Sequence, residues 1–141
     1  MADLQLAEKL CNAFGPSGYE QDVARLLCEE LAEFEVKRDP MQNVYARIPG
    51  AEGRLPVVML DAHTDEVGFM VQAVKANGLL KLVPLGGWVD SNIPAHLMLI
   101  RNKNGALIRG VTTSKPPHFM TAAERGRPVE LSDIFIDVGA V

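Results

Sequence analysis

The stretch Val57-Val-Met-Leu-Asp-Ala-His63-Thr-Asp65 decides how this chain is interpreted. Its continuous apolar run, 57–60, predicts that 56–61 forms a strand covered on both faces. The run stops at a histidine and a carboxylate two positions apart, at the end of a strand where open α/β sheets bind ligands. His63 offers a nitrogen ligand for a metal, and Asp65 can orient that ring. The same pair is also typical of surface polar groups at a strand end.

Two helices are predicted before this strand. The first covers about 4–14, is capped by Asp3 and ends at Gly15-Pro16. The second begins at a capping box, Ser17-Gly-Tyr-Glu20. The loop 15–18 between them is interpreted as a connector without a chemical role. The apolar positions that the helical period places on the inner face of the second helix are Val23, Leu26, Leu27 and Leu31.

The strand pattern changes after His63. Before it, short alternating strands are predicted at 34–38 and 43–48, with turns at 39–40 and 49–53. After it, helical signals are rare, and Thr121-Ala-Ala-Glu124 is predicted to cap a single helical turn. Short strands with Asn-Gly hairpin turns at 77–78 and 104–105 indicate a small β-barrel or sandwich, with strands at 67–74, 79–83, 96–101, 106–111 and 134–138.

The predicted organisation is therefore the start of an α/β domain in residues 1–66, followed by a β module in 67–141. The α/β layer has two helices and three strands and is unfinished. The sequence ends on an apolar strand, Ile134–Val138. Together these features predict that the chain is the N-terminal part of a longer protein.

Composition excludes several classes of function. The chain has 141 residues, of which 48% are hydrophobic and 23% charged, and a net charge of −4, as in ordinary globular proteins. It has no basic stripe, 6% aromatic residues and no membrane-length apolar run, so we expect neither nucleic-acid nor membrane binding. The start, Met-Ala-Asp-Leu-Gln, lacks a basic start and an apolar core, so we do not expect it to be a signal peptide. Cys11 and Cys28 are predicted to be buried free thiols, which favours the cytoplasm.

The order of short motifs resembles the N-terminal part of the deblocking/glutamyl aminopeptidase family. These are cytoplasmic di-metal exopeptidases that form tetrahedral particles. Each motif is weak alone, but five in the family's order make the resemblance specific. The matching stretches run from about Leu10 to Ala140 and are Phe14–Gly18, Asp61–Val71, Leu85–Trp88, Gly110–Val111 with Ser114–His118, and Phe135–Ala140.

The resemblance implies an α/β fold: the start of a zinc-peptidase-type α/β sandwich in 1–66 and an inserted small β-barrel dimerisation domain in 67–141. It implies that His63 is a metal ligand and that Asp65 is the catalytic-site carboxylate that orients it. Two divalent metal ions, whether zinc, cobalt or manganese, would activate a water for attack on a peptide. A homo-oligomer, a dimer or larger and a dodecamer in the family, is expected, with no nucleic-acid or membrane partner.

The remaining functional residues of the family match no position in this sequence. They are a bridging Asp, a neighbouring pair of Glu residues, a later Asp and a final His; the family's general base, a Glu, also matches no position. One protein ligand cannot hold a catalytic zinc ion, which takes three protein ligands and a water. We therefore expect the 141-residue chain to be inactive as a peptidase by itself.

Other chemistry-bearing residues are given ordinary roles. His96 is predicted to be a surface residue, His118 to pack within a loop, and Trp88 to pack in a core. Asp61 is interpreted as a strand-end group or an outer partner of the site. Glu66 is not proposed as the base.

Two alternatives to the peptidase stay open at this stage. The chain could act as an oligomerisation or binding module through its β part, without catalysis of its own. A carbohydrate hydrolase is less well supported, because no pair of carboxylates at a glycosidase separation can be argued from the sequence.

Overall fold

The computed structural model describes residues 4–50 and 56–140 and shows a mixed α/β chain, as predicted. Contacts within the chain divide it into two compact units, Met1–Glu66 and Val67–Val141, which are described separately below. The predicted cap at Asp3 and residues 51–53 of the predicted turn lie outside the described residues. Within the described ranges, no helix is both long and apolar enough to cross a membrane.

The first unit contains the two predicted helices and a hairpin. Helix α1 covers Leu4–Asn12 and helix α2 covers Gln21–Glu30. Strands β1, Glu35–Arg38, and β2, Val44–Arg47, pair in antiparallel fashion. The turn between them is organised by Asp39, whose carboxylate accepts hydrogen bonds from the backbone N–H groups at 41 and 43. These local elements confirm the sequence prediction, except that α1 ends two residues early.

A small core joins α2 to the loop that precedes it. Val23 and Ala24 are buried on α2, and Gly15 and Pro16 are buried beside them. A Cβ atom at Gly15 would lie 2.6 Å from Cγ2 of Val23, so only glycine allows this approach of loop and helix. The loop is thereby held close to the start of the second helix.

The prediction of a buried strand at 56–61 is wrong for the described structure. These residues form no strand, and the side chains of Val57 and Leu60 are 96% and 92% exposed. A strand covered on both faces needs neighbouring strands and covering layers, which are contacts distant in sequence. No described strand pairs with this run. The apolar run 57–60 therefore predicted a burial that is not observed, because no described residues cover it.

The prediction for Cys11 is also wrong, for a related reason. Cys11 is exposed and Cys28 is half-buried, and both thiols are free. Helix α1 carries a helical-period apolar stripe, yet none of its described residues is buried. The stripe correctly predicted a helix, but the described residues do not cover its apolar face.

The second unit is an antiparallel sheet, which confirms the predicted β module. Its five strands lie in the order β3-β4-β7-β6-β5, and every pairing is antiparallel. Strands β3 and β5 are the edges of this sheet. The bounds are Gly68–Val74 for β3, Leu80–Leu85 for β4, Leu97–Arg101 for β5, Leu107–Thr113 for β6 and Phe135–Asp137 for β7.

Both predicted hairpins are present, but with longer turns than an Asn-Gly pair predicts. In the first, Lys75 N–H donates to the Leu79 carbonyl at 2.8 Å, which encloses a three-residue loop. In the second, the Asn102 N–H donates to the Ala106 carbonyl at 2.9 Å in the same way. The last loop residue is glycine in each, with φ of 79° at Gly78 and 83° at residue 105. A three-residue hairpin requires this left-handed position.

The core of the second unit lies on one face of the sheet. Leu80, Leu82 and Ile136 form its buried cluster. Thr112 is also buried; its hydroxyl donates to the Ile93 carbonyl at 2.5 Å and accepts from His96 N–H at 2.9 Å. Because this hydroxyl both donates and accepts a hydrogen bond, its burial carries little desolvation penalty. The partly buried side chains packed against the cluster are Phe69, Met98, Ile100 and Val138.

The predicted capping box forms at the start of the short helix α3, Ala122–Arg125. Thr121 Oγ1 accepts from Glu124 N–H at 3.2 Å, and the Glu124 carboxylate accepts from Thr121 N–H at 2.6 Å. Lys115 donates to the other carboxylate oxygen of Glu124 at 2.6 Å. The hydrogen bond from Lys115, followed by those from Thr121, lowers the pKa of Glu124 from 4.5 to about 2.

This depressed pKa predicts an acid-sensitive helix end. Since the folded-state pKa lies below the unfolded one, the contacts of Glu124 stabilise the fold fully above pH 4.5 and are lost as pH falls toward about 2. Following the amide resonance of Thr121 by NMR, we expect a midpoint well below pH 4.5. Replacing Lys115 by methionine should raise that midpoint, whereas Lys103→Met, in the exposed hairpin loop, should not. An unshifted midpoint in the unsubstituted protein would contradict the contact.

Candidate functional site

The His-x-Asp pair of the first unit lies in a segment without regular secondary structure. The His63 side chain is 86% exposed. Its Nδ1 atom lies 3.0 Å from Oδ1 of Asp65 and 3.0 Å from the backbone carbonyl oxygen of the same residue. The two residues predicted for the site are therefore in direct contact, with the imidazole open to solvent rather than packed among apolar side chains.

The contacts of Nδ1 assign the proton on the imidazole. Both partners of Nδ1 are oxygen acceptors, so Nδ1 carries the hydrogen and donates it. In a neutral ring, the lone pair then lies on Nε2. Histidines that bind metals in proteins are commonly held in this way, with a carboxylate on one ring nitrogen and the ion on the other. His63 thus has the arrangement of a metal ligand through Nε2.

The carboxylate of Asp65 is bound on both oxygens. Oδ1 contacts His63, and Oδ2 accepts a hydrogen bond from the hydroxyl of Ser17. The hydrogen bond from Ser17, followed by that from His63, lowers the pKa of Asp65. The group therefore stays ionised at neutral pH and remains an acceptor for the imidazole N–H.

The loop that carries Ser17 is tied to the site segment by its backbone. Glu66 N–H donates to the Gly15 carbonyl at 2.9 Å, and Gly15 N–H donates to the Glu66 carboxylate at 3.2 Å. Pro16 and Glu66 form an isolated parallel bridge. These contacts bring together two stretches that the sequence separates by about fifty residues.

The predicted capping box at Ser17 is wrong. Helix α2 begins at Gln21, its N-cap Glu20 makes no side-chain cap hydrogen bond, and the Ser17 hydroxyl is used by Asp65. Gly18, with φ of +87°, turns the chain between Ser17 and the helix, and its N–H donates to the Glu20 carboxylate at 2.7 Å. The loop interpreted as a connector therefore contacts the site. The only sequence signal for this was the Phe14–Gly18 stretch of the family resemblance.

One imidazole does not make a complete metal centre. In the part of the chain that the structure describes, no three His, Cys, Asp or Glu side chains gather in the arrangement of a metal site. Of the His63 and Asp65 pair, only the imidazole has a free nitrogen, because the Asp65 carboxylate contacts Nδ1 and the Ser17 hydroxyl. The chemistry of this donor pair fits zinc, cobalt or manganese equally well.

The other residues considered from the sequence lie elsewhere. Asp61 is exposed, in the segment just before His63. His96 is exposed, as predicted, with Nδ1 3.2 Å from the Pro94 carbonyl oxygen. His118 is exposed in a short 3-10 turn, and its ring contacts the neighbouring ring of Phe119. None of these side chains adds a ligand to the His63 pair among the described contacts.

Trp88 packs within the second unit, as predicted. Its ring stacks on Phe69 with centroids 4.6 Å apart, and its indole N–H donates to the Gly68 carbonyl at 3.0 Å. The side chain is half-buried. A stacked and hydrogen-bonded indole of this kind anchors the turn after β4.

Comparison with known proteins agrees with the resemblance. The family model described as M42 glutamyl aminopeptidase matches residues 42–141. FrvX of Escherichia coli (strain K12) is 35% identical over 140 residues, which are 98% of this chain and 38% of FrvX. The lysyl aminopeptidase of Pyrococcus furiosus is 33% identical over 145 residues, covering 99% of this chain and 40% of the relative.

The fold is also similar to that of solved aminopeptidase structures. The crystal structure of the TET aminopeptidase from the marine sediment archaeon Thaumarchaeota archaeon SCGC AB-539-E09 matches with a TM-score of 0.88 and 36% identity. The match covers 97% of this chain and 38% of that one. The chain thus spans about two-fifths of the length of the proteins it resembles, as expected for a part of that fold.

Proposed function

Because this chain belongs to the M42 glutamyl aminopeptidase family, we propose that it supplies one metal ligand, His63, and its orienting carboxylate, Asp65, to a metal-dependent aminopeptidase. The observation that carries the proposal is the contact between them. Asp65 occupies Nδ1 of an exposed imidazole and leaves Nε2 for an ion. The complete protein would remove residues from the free N-termini of peptides.

The roles of the two residues follow from this contact. An ionised Asp65 fixes the ring orientation and the tautomer of His63, and it increases the basicity of Nε2. When bound, two divalent ions such as zinc, cobalt or manganese supply the polarisation of the peptide carbonyl and the activation of a water. No residue of this chain is proposed as the general base.

The proposal includes inactivity of the isolated chain. A catalytic zinc site needs three protein ligands besides the water, and the described residues offer one. The other ligands and the base are proposed to come from residues of the complete protein that do not belong to this chain. A cytoplasmic location is proposed on the family resemblance alone.

A second role, self-association, is proposed for the second unit. On the face of β5 and β6 opposite the core, Leu97 and Leu99 are 79% and 52% exposed, and the cross-strand partner of Leu97 is Val111, also exposed. Leu107 lies on the same face beside Arg101, and Arg109 is the cross-strand partner of Leu99. Because β5 is also an edge strand, this face, with four apolar side chains and two arginines, suits contact with a second copy.

Metal removal tests the catalytic proposal. We expect the complete protein to release the first residue of an unblocked peptide, to stop after chelation and dialysis, and to recover when zinc, cobalt or manganese is returned. The same peptide with an acetylated N-terminus is the matched control and should not be cleaved. Full activity after verified removal of all divalent metal would contradict a metal-dependent reaction.

A further inference from the structure

The carboxylate of Asp65 is held from two sides, and only one side belongs to the pair proposed above. Oδ1 accepts from His63, whereas Oδ2 accepts from the hydroxyl of Ser17, which is 48 residues earlier in the chain. Ser17 is half-buried and follows the buried Gly15 and Pro16. Two buried loop residues, Gly15 and Pro16, are therefore followed by a hydroxyl that donates to Oδ2 of Asp65.

We propose that Ser17 is a positioning residue for the metal ligand His63 and that it acts through Asp65. This inference rests on the proposed function, because it takes His63 as a ligand. Ser17 is not proposed to contact either the ion or the substrate. Its part is to stop the Asp65 carboxylate from rotating, so that Oδ1 stays on Nδ1 and Nε2 keeps one direction.

The surroundings of His63 explain why such support matters. The ring is 86% exposed, and its described hydrogen bonds are both to Asp65. Residues 61–65 form no strand or helix that would fix the side chain through the backbone. The orientation of the imidazole therefore depends on the Asp65 carboxylate, and the orientation of that carboxylate depends on the hydrogen bond from Ser17.

The position of Ser17 is set independently of its own hydroxyl. The loop is tied to Glu66 by the Gly15 carbonyl and N–H, and Gly15 packs against Val23. Removing the hydroxyl leaves these backbone contacts intact. Loss of the Ser17 hydrogen bond should therefore change the orientation of the Asp65 carboxylate without unfolding the loop. A positioning role of Ser17 can thus be distinguished from a role in loop stability.

Cobalt binding to the complete, metal-free protein provides the test. Ser17→Ala should raise the Co²⁺ dissociation constant roughly 10-fold, the lower end of the effect of outer partners on a metal ligand. Ser17→Thr, which keeps the hydroxyl, should restore most of the affinity and of the cobalt absorption spectrum. Ser91→Ala, which removes an exposed hydroxyl in the second unit, is the matched control and should change neither. The melting temperature of the metal-free variants should equal that of the parent.

A double-mutant cycle tests the route through Asp65. Asp65→Asn should weaken Co²⁺ binding at least as much as Ser17→Ala, and adding Ser17→Ala to Asp65→Asn should cause no further loss. An unchanged affinity in Ser17→Ala while Asp65→Asn weakens binding would overturn the role of Ser17 and leave the proposed function standing, as would full additivity. An unchanged affinity in His63→Ala would overturn the proposed function and this inference together.

Discussion

Replacing His63 by alanine is expected to abolish the peptidase activity proposed for the complete protein. The loss in kcat/KM should exceed the ~100-fold that the loss of an outer partner of a metal ligand can cause, because a ligand itself is removed. Bound metal, measured by elemental analysis after gel filtration, should fall in the same variant. The physical reason is that Nε2 of His63 is the donor that the contact with Asp65 leaves available.

The other two histidines of the chain are matched controls for this substitution. His96 and His118 are exposed in the second unit, and no role at the proposed metal site is assigned to either. Alanine at either position should leave kcat/KM and metal content unchanged. Retention of both quantities in His63→Ala would show that the ligand assignment is wrong.

The second large effect concerns the 141-residue chain by itself, which we expect to release no amino acid from short unblocked peptides. A single histidine with its carboxylate cannot hold a catalytic ion in a defined geometry. Its Co²⁺ affinity should also be far below that of the complete protein, and its visible cobalt spectrum should be that of a solvated ion.

The measurement compares equal molar amounts of the isolated chain and the complete protein, purified in the same way. The complete protein carrying His63→Ala sets the background of contaminating peptidases. Turnover above that background that follows the 141-residue species through gel filtration would overturn the inactivity of the chain. Tight binding of two ions by the isolated chain would do the same.

The two hairpins of the second unit could be predicted from sequence because their contacts are local, whereas the pairing of β7 with β4 and β6 joins distant parts of the chain and was not predicted. Hairpins pair neighbouring strands, and Gly78 and Gly105 occupy turn positions that few other residues adopt. The cap at Thr121 is read from four consecutive residues. The predicted turn lengths were wrong, because an Asn-Gly pair fits both two- and three-residue loops.

In the first unit, burial could not be predicted from the local sequence pattern. The run 57–60 has the composition of a covered strand, but its exposure depends on neighbours that no local pattern specifies. The same holds for Cys11 on the apolar stripe of α1. Both predictions treated an apolar face as evidence of burial, whereas burial requires a partner surface.

Of the contacts in the candidate site, the one between His63 and Asp65 could be predicted from sequence, because the two residues are only two positions apart. Ser17 was missed because its contact with Asp65 spans 48 residues and because a capping box explained the same serine locally. In the structure, helix α2 begins at Gln21, and the Ser17 hydroxyl bonds to Asp65 instead of capping the helix.

The roles proposed for Asp65 and Ser17 both require that His63 binds a catalytic ion through Nε2. Anomalous X-ray scattering from crystals of the complete protein loaded with cobalt or zinc tests it directly. We predict a metal peak about 2.0–2.1 Å from Nε2 of His63, with Nδ1 still on the Asp65 carboxylate. Metal peaks elsewhere in an active crystal, with the His63 ring uncoordinated, would contradict it.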